Sequence, residues 1–431
     1  MFVCGPTVYD YSHLGHAKTY TQFDMIARYL SHAGFNTTYL QNITDIDDKI
    51  IARAASSGVT PKDLAAEFEK YYLEDMRALG NDSVTTYARA HDYIEAIVSQ
   101  VKRLIDHGNA YKLDDGWYFN LATFPQYGKL SKRTAALADD AVSRIDESTG
   151  KRNAGDFALW KFSKPGEPQW LTELGSGRPG WHIEDTAITE TFFGPNYDLH
   201  GGAVDLIFPH HEAEIAQMES ASCCGGDLAK YWMHTGFLNI SGQKMSKSQD
   251  NFTTIRAALN TWNAKTLRYA FLSTHYRSGM ELTSDILAAA EQARHRLESY
   301  ARRLNRSVTG GGEALSSLRE QFFERMDDDF DTSGALAVLF KHVRDHNRSG
   351  VGGSEEEYLF MEEVNSIFRF LDLSENQSES EEIDGLVRLR NVFRRDKRFA
   401  DADKVRKDLE ERGVTVEDTP TGESRWYRSE G

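Results

Sequence analysis

Apolar positions near the start of the chain alternate between two periods. Phe2 to Cys4 is a short apolar run halted by Gly5-Pro6, the pattern of a strand that opens into a loop. From His16 to about Ala33, the apolar residues Phe23, Ile26, Ala27 and Leu30 recur at helical spacing until Gly34 ends the run. Thr37 to Leu40 reads as a second strand. Thr44 reads as the N-cap of a helix with Asp45, Asp47 and Asp48 in its first turn. Strands alternating with helices predict a parallel sheet, and the opening is expected to be an α/β nucleotide-binding domain.

Residues 58 to 106 look mainly helical, and Gly116 to Leu121 is strand-like. Several Gly and Pro breaks follow, through Pro179-Gly180, so 110–180 is expected to be an insertion between two halves of the sheet. Strand and helix patterns return from Trp181 to Met233. Phe237 to Ile240 reads as a strand before a polar loop, and helices dominate from Thr254 onward.

Composition narrows the class. The chain has 431 residues, 40% hydrophobic and 27% charged, with no apolar run long enough for a membrane span and no signal-like N-terminus. A cytoplasmic protein with no membrane partner is expected. The cysteines are Cys4, Cys223 and Cys224, which is no disulfide framework and leaves metal ligation open for Cys4. A net charge of −16 argues against a wrapper of bulk nucleic acid, though local basic patches remain compatible with RNA contact.

Two polar loops carry the chemistry. His13-Leu14-Gly15-His16 stands at a helix N-terminus, where free backbone N–H groups and partial positive charge suit a phosphate chain. Gly15 permits close approach of a nucleotide, and two imidazoles can donate to triphosphate oxygens. Far downstream, Lys244-Met245-Ser246-Lys247-Ser248 offers two ammonium groups to a leaving pyrophosphate. Either loop alone has a bland reading. Both together, one opening an α/β domain and one closing it, make coincidence a poor account.

These loops resemble those of the class I aminoacyl-tRNA synthetases. The strings CGPTVYDYSHLGHAKTY, QNITDIDDKI, GWHIED, HGGAVDLIFPHHEAEIAQ, YWMHTGFL and STHYRS are similar to the cysteinyl-tRNA synthetases in particular, and the likeness runs over nearly the whole chain. It implies an α/β fold with a Rossmann-type parallel-sheet catalytic core and a connective insertion, followed by a mainly helical C-terminal half with a small anticodon-binding domain. The implied divisions are 1–109 and 181–253 for the two halves of the core and 110–180 for the insertion. A stem-contact region (254–310), a helical DALR-like domain (311–373) and the anticodon-binding domain (383–431) follow. The resemblance also implies cysteine activation by ATP with Mg²⁺ and transfer to the 2′-hydroxyl of the terminal adenosine of tRNA(Cys). His13, His16, Lys244 and Lys247 would be catalytic and, with Gly15, would bind ATP. A monomer is expected.

His210 and Glu214 lie four apart, which on a helix puts them on one face. The family's zinc ligands map onto Cys4, Asp185, His210 and Glu214, giving one zinc per chain. Position 185 is usually cysteine in the family. Aspartate keeps the charge but is a harder donor, leaving direct ligation, ligation through water and no ligation open. Zinc would select cysteine over serine by binding its thiolate. By the same resemblance Gly5, Thr44, Trp181 and Asp205 would line the cysteine pocket, with Asp205 facing the ammonium group. Trp181 has packing as its alternative role, and Asp205 a turn.

Basic residues outnumber acidic ones between 388 and 412. Arg394, Arg395 and Arg398 are expected to meet tRNA phosphates. Trp426 is expected either to stack on an anticodon base or to pack in a C-terminal strand. Two rival functions remain: an ATP-dependent ligase that joins cysteine to an amino sugar, and a non-catalytic paralogue. Members of the family usually carry about a strand's worth of sequence before CGPT. A start further upstream or a missing edge element is therefore expected.

Overall fold

The computed structural model describes residues 1–133, 150–222, 225–240, 243–244, 253–310, 312–349, 353–373, 377–418 and 424–428. The chain divides into two units, one of residues 1–258 with 276–281 and one of 259–275 with 282–431.

The first unit is built on a five-stranded sheet ordered Ala229–Thr235, Tyr197–Ala203, Phe2–Val3, Leu40–Ile43 and Thr86–Arg89. Every neighbouring pair is parallel. Phe2–Val3 lies at its centre and is wholly buried, which fits an apolar run rather than an alternating one. Helix Leu14–His32 connects this strand to Leu40–Ile43 and buries Phe23, Met25, Ile26 and Ala27.

After Thr86–Arg89 the chain leaves the parallel sheet and forms helix Ile94–Asp106, whose Ile94, Ile97, Val101 and Leu104 make a buried stripe at helical spacing. It then builds a second five-stranded sheet, antiparallel throughout. The order is Ala110–Leu113, Gly116–Phe119, Phe157–Phe162, Gly175–Pro179 and Trp170–Thr172. One apolar cluster packs this sheet against helices, drawing Phe119, Phe157 and Trp160 together with Ile97 and Val101 of helix Ile94–Asp106 and with Ile183, Ala213 and Ala216. Helix Ile183–Phe193 then leads back to the parallel sheet through Tyr197–Ala203.

Two local expectations need correction. The second strand runs from Leu40 to Ile43, displaced toward the C-terminus from Thr37–Leu40, because the buried run continues through Gln41 and Asn42. Those polar side chains masked it. The next helix is Asp48–Ser57, and Asp47 is its cap, accepting from the Lys49 N–H at 2.8 Å. Thr44 remains at the strand end, bridged to Thr7.

The second unit is mainly helical, with helices Ser284–Arg303, Gly312–Asp327, Thr332–Ser349 and Glu355–Phe368. Asp331 Oδ1 accepts from the Gly334 N–H at 2.8 Å and caps Thr332–Ser349. Helices Gln377–Arg395 and Phe399–Glu411 pack with a hairpin of Val414–Asp418 and Ser424–Arg428 around Ile383, Val387, Leu409 and Val414.

Candidate active site

The loop after the central strand turns into helix Leu14–His32 through a reciprocal cap made of two histidines. His13 Nδ1 accepts from the N–H groups of Gly15 at 3.1 Å and His16 at 3.4 Å, while His16 Nδ1 accepts from the His13 N–H at 3.3 Å. An imidazole nitrogen that accepts carries no proton, so both neutral rings hold theirs on Nε2. The rings stack at 3.9 Å. Backbone geometry thereby sets the tautomer in which both side chains are donors at Nε2.

The segment after the second polar loop is tied to this turn. Leu14 N–H donates to Thr253 O at 3.0 Å, and Ile255 N–H to Ser12 O at 2.9 Å. Lys247, Cys223 and Cys224 lie outside the described residues. Lys244 is described by its backbone alone, in a strand paired with Asn239.

Cys4, Asp185, His210 and Glu214 converge from four places in the chain, all buried, with one ligand atom from each within 4.8 Å of the others. His210 Nε2 lies 2.9 Å from Asp185 Oδ2 and 2.8 Å from Glu214 Oε1, and Cys4 Sγ lies 3.7 Å from Glu214 Oε1. Burial raises the Cys4 pKa, and the Glu214 and Asp185 carboxylates raise it further. Burial works to lower the His210 pKa, but Glu214 and Asp185 outweigh it and hold it up at about 10. A bound divalent cation would reverse both preferences. Glu214 Oε2 is buried without a hydrogen bond. Thiolate, imidazole and carboxylate are all zinc donors, so the residues present fit such an ion.

A second group shares Cys4 and Glu214 but completes itself with His200 and His211. Their Nε2 atoms stand 3.4 and 3.3 Å from Cys4 Sγ. Each ring is oriented through its other nitrogen, His200 by the Tyr197 hydroxyl at 2.6 Å and His211 by His234 Nε2 at 2.8 Å. Sequence reasoning missed these two histidines, although both stand inside the quoted strings. Adjacent His210 and His211 point to different partners, which only the fold reveals.

Around this centre, Trp181 stacks on His210 at 4.7 Å, and His182 Nδ1 meets His210 Nδ1 at 2.7 Å. Asn42 was also missed. Its amide donates to Asp185 and Thr44, and its side-chain oxygen accepts from the Gly5 N–H. Glu184, a third omission, is buried beside Asp185 and accepts from the Thr44 hydroxyl. Burial raises its pKa first, with Asp185 adding to it. Asp205 is exposed in the short turn Val204–Leu206 after the strand Tyr197–Ala203. Tyr20 links the two halves of the site: its ring stacks with His16 at 6.2 Å, and its hydroxyl donates to Cys4 O at 3.2 Å.

Residues 1–292 match the catalytic domain of the class I (C) tRNA synthetases, and 321–368 match the DALR domain. Residues 377–426 match the cysteinyl-tRNA ligase anticodon-binding domain. The cysteine–tRNA ligase of Thermococcus gammatolerans is 42% identical over 99% of this chain and 94% of its own length. The chain belongs to the cysteine–tRNA ligase family. Another member of this family, from Halorhodospira halophila, is 42% identical over 100% of the chain and 95% of its own length. At the level of fold alone, Mycobacterium tuberculosis methionyl-tRNA synthetase in complex with methionyl-adenylate is similar, with a TM-score of 0.62 and 18% identity. That likeness covers 86% of this chain and 87% of the other.

At the far end of the chain, Trp426 packs against Ile383, Val387 and Leu409. It is 9% exposed, in the core of the C-terminal hairpin, and its indole N–H donates to Asp384 at 2.6 Å. Arg394 pairs with Asp418, and Arg398 with Asp401 at 2.7 Å. Arg395 is 77% exposed, with Asp396 at 3.9 Å.

Proposed function

We propose that this chain activates L-cysteine with ATP, forming cysteinyl-adenylate and pyrophosphate, and transfers the cysteinyl group to tRNA(Cys). Full-length likeness to cysteine–tRNA ligases supports the reaction. The observation that carries the mechanism is the pairing of two features on one sheet: donor histidines at a helix N-terminus and a buried thiol–imidazole–carboxylate group just beyond the strand ends.

The carboxylate of cysteine attacks the α-phosphorus of ATP, and pyrophosphate leaves with its Mg²⁺. His13 and His16 donate from Nε2 to the phosphate oxygens as charge grows on them, and Lys244 and Lys247 neutralise the leaving group. Gly15 keeps the helix N-terminus open to the nucleotide. The 2′-hydroxyl of the terminal adenosine then attacks the activated carbonyl. These groups act by position and charge, with no covalent enzyme intermediate.

Cys4, Asp185, His210 and Glu214 would hold one zinc ion, which supplies a position that bonds a thiolate and discriminates against a hydroxyl. Gly5 and Thr44 line the cysteine pocket, Trp181 walls it beside His210, and Asp205 receives the substrate ammonium. Arg394, Arg395 and Arg398 meet tRNA phosphates. The enzyme works as a monomer in the cytoplasm; among the described residues no helix is long and apolar enough to cross a membrane.

Cysteine-dependent ATP–pyrophosphate exchange followed by charging of tRNA(Cys) tests this reading. Exchange without tRNA charging would favour the amino-sugar ligase, against which the match over 377–426 counts. Absence of exchange with a correctly folded, zinc-loaded protein would sink the catalytic reading altogether.

A further inference from the structure

We propose that His342, His346 and Glu357 form a second metal site, taking a divalent transition-metal cation such as zinc, nickel or cobalt. The site lies within the helical unit, apart from every residue assigned above.

His342 and His346 are four apart on helix Thr332–Ser349, so their rings project from one face. Glu357 comes from the neighbouring helix Glu355–Phe368. Its Oε1 stands 3.2 Å from His342 Nε2 and 3.7 Å from His346 Nδ1. One ligand atom from each side chain lies within 4.8 Å of the other two. Donors about 2.0–2.2 Å from a tetrahedral zinc ion are separated from one another by roughly 3.3–3.5 Å. The two carboxylate–imidazole separations, 3.2 and 3.7 Å, bracket that spacing, and the imidazole nitrogens lie within 4.8 Å of each other.

The carboxylate is aimed by the backbone. Ser354 caps the second helix by accepting from the Glu357 N–H at 3.3 Å, and in return Glu357 Oε2 accepts from the Ser354 N–H at 3.1 Å. That reciprocal cap engages one carboxylate oxygen and leaves the other facing the imidazoles. This is the role an outer contact plays for a carboxylate ligand. Tyr300 closes one side: its hydroxyl is 3.1 Å from His342 Nε2, and its ring meets His346 edge-on at 5.1 Å.

Hydrogen bonding alone accounts for only part of the arrangement. His342 lies within hydrogen-bond range of Glu357, but 3.7 Å places His346 outside it. A cation between the three atoms satisfies both rings and the carboxylate at once. Two imidazoles and one carboxylate favour zinc, nickel or cobalt over magnesium or calcium, which prefer oxygen throughout. The side chains are 15%, 17% and 10% exposed, shielded yet within reach of an ion and of the water that completes its coordination. Bound there, the cation would tie helix Thr332–Ser349 to helix Glu355–Phe368.

Cobalt titration of the full-length chain separates this site from the one at Cys4, because only the latter offers a thiolate. The wild type should bind two cobalt ions, one of them with thiolate charge-transfer absorption. Cys4→Ser should keep one ion, showing ligand-field bands without the thiolate band. Adding His346→Asn or Glu357→Gln to Cys4→Ser should weaken that remaining binding at least tenfold. As a check that does not require Cys4→Ser to fold, His346→Asn alone should lower zinc stoichiometry by one equivalent. Unchanged stoichiometry in His346→Asn, or no cobalt held by a folded Cys4→Ser chain, would overturn the proposal.

Discussion

Asp185 stands between two roles. Asn42 donates to one of its oxygens and His210 approaches the other, so it can ligate a cation beside His210 or remain as that imidazole's ion-pair partner. Asp185→Ala should weaken zinc binding at least tenfold, measured by competition with a chromophoric chelator. Unchanged affinity would reject Asp185 as a ligand and point to Cys4, Glu214, His200 and His211. Lys18 presents a different problem of charge. Its ammonium is fully buried, donating to Gln22 at 3.1 Å and to Gly236 O at 2.9 Å, and burial lowers its pKa to about 8. The unfolded lysine, near 10.5, holds a proton that the folded one has released above pH 8, so this group's contribution to stability rises with pH across that window. Lys18→Met should remove the rise. Denaturant unfolding of both proteins from pH 7 to 9.5 should show the wild type gaining on the variant, and parallel curves would contradict the assignment.

Among the elements, the central strand and its neighbour approach too closely for any side chain at Gly5. A Cβ there would lie 1.7 Å from Asn42 O, a backbone atom that cannot move without shifting strand Leu40–Ile43. Gly5→Ala is expected to destabilise the protein by about 3 kcal/mol, the upper part of the range for overpacking. It should also weaken cysteine binding, because the Asn42 side chain that meets Gly5 also holds Asp185. Thermal unfolding and the cysteine KM in pyrophosphate exchange would check both effects. A variant with wild-type stability would mean that the two strands can separate freely. The misplaced second strand and the shifted helix start belong to this scale as well. Gln41 and Asn42 point into polar buried surroundings, and Asp47 outcompeted Thr44 as a cap once the strand extended to Ile43.

For the molecule as a whole, an acidic chain of net charge −16 must still meet a polyanion. Arg395 is the most exposed of the three arginines proposed for that contact, whereas Arg394 and Arg398 are already paired with carboxylates. Arg395→Ala should raise the KM for tRNA severalfold and reduce its salt dependence, leaving pyrophosphate exchange unaltered. An equal effect on exchange would show damage to the fold instead. Much of this organisation was legible in the sequence. Hydrophobic period marked the parallel sheet, and the His13–His16 turn marked the start of its first helix, because periodicity and local turn chemistry are properties of neighbouring residues. Cys4, Asp185, His210 and Glu214 were legible through resemblance. Which histidines face them was decided only by tertiary structure: His200 and His211 reach Cys4 across separations of 196 and 207 residues. The interior position of Trp426 and the meeting of His342 with Glu357 were settled in the same way. Local sequence encodes direction and period along one element, whereas burial and ligand geometry arise from the angle at which separate elements pack.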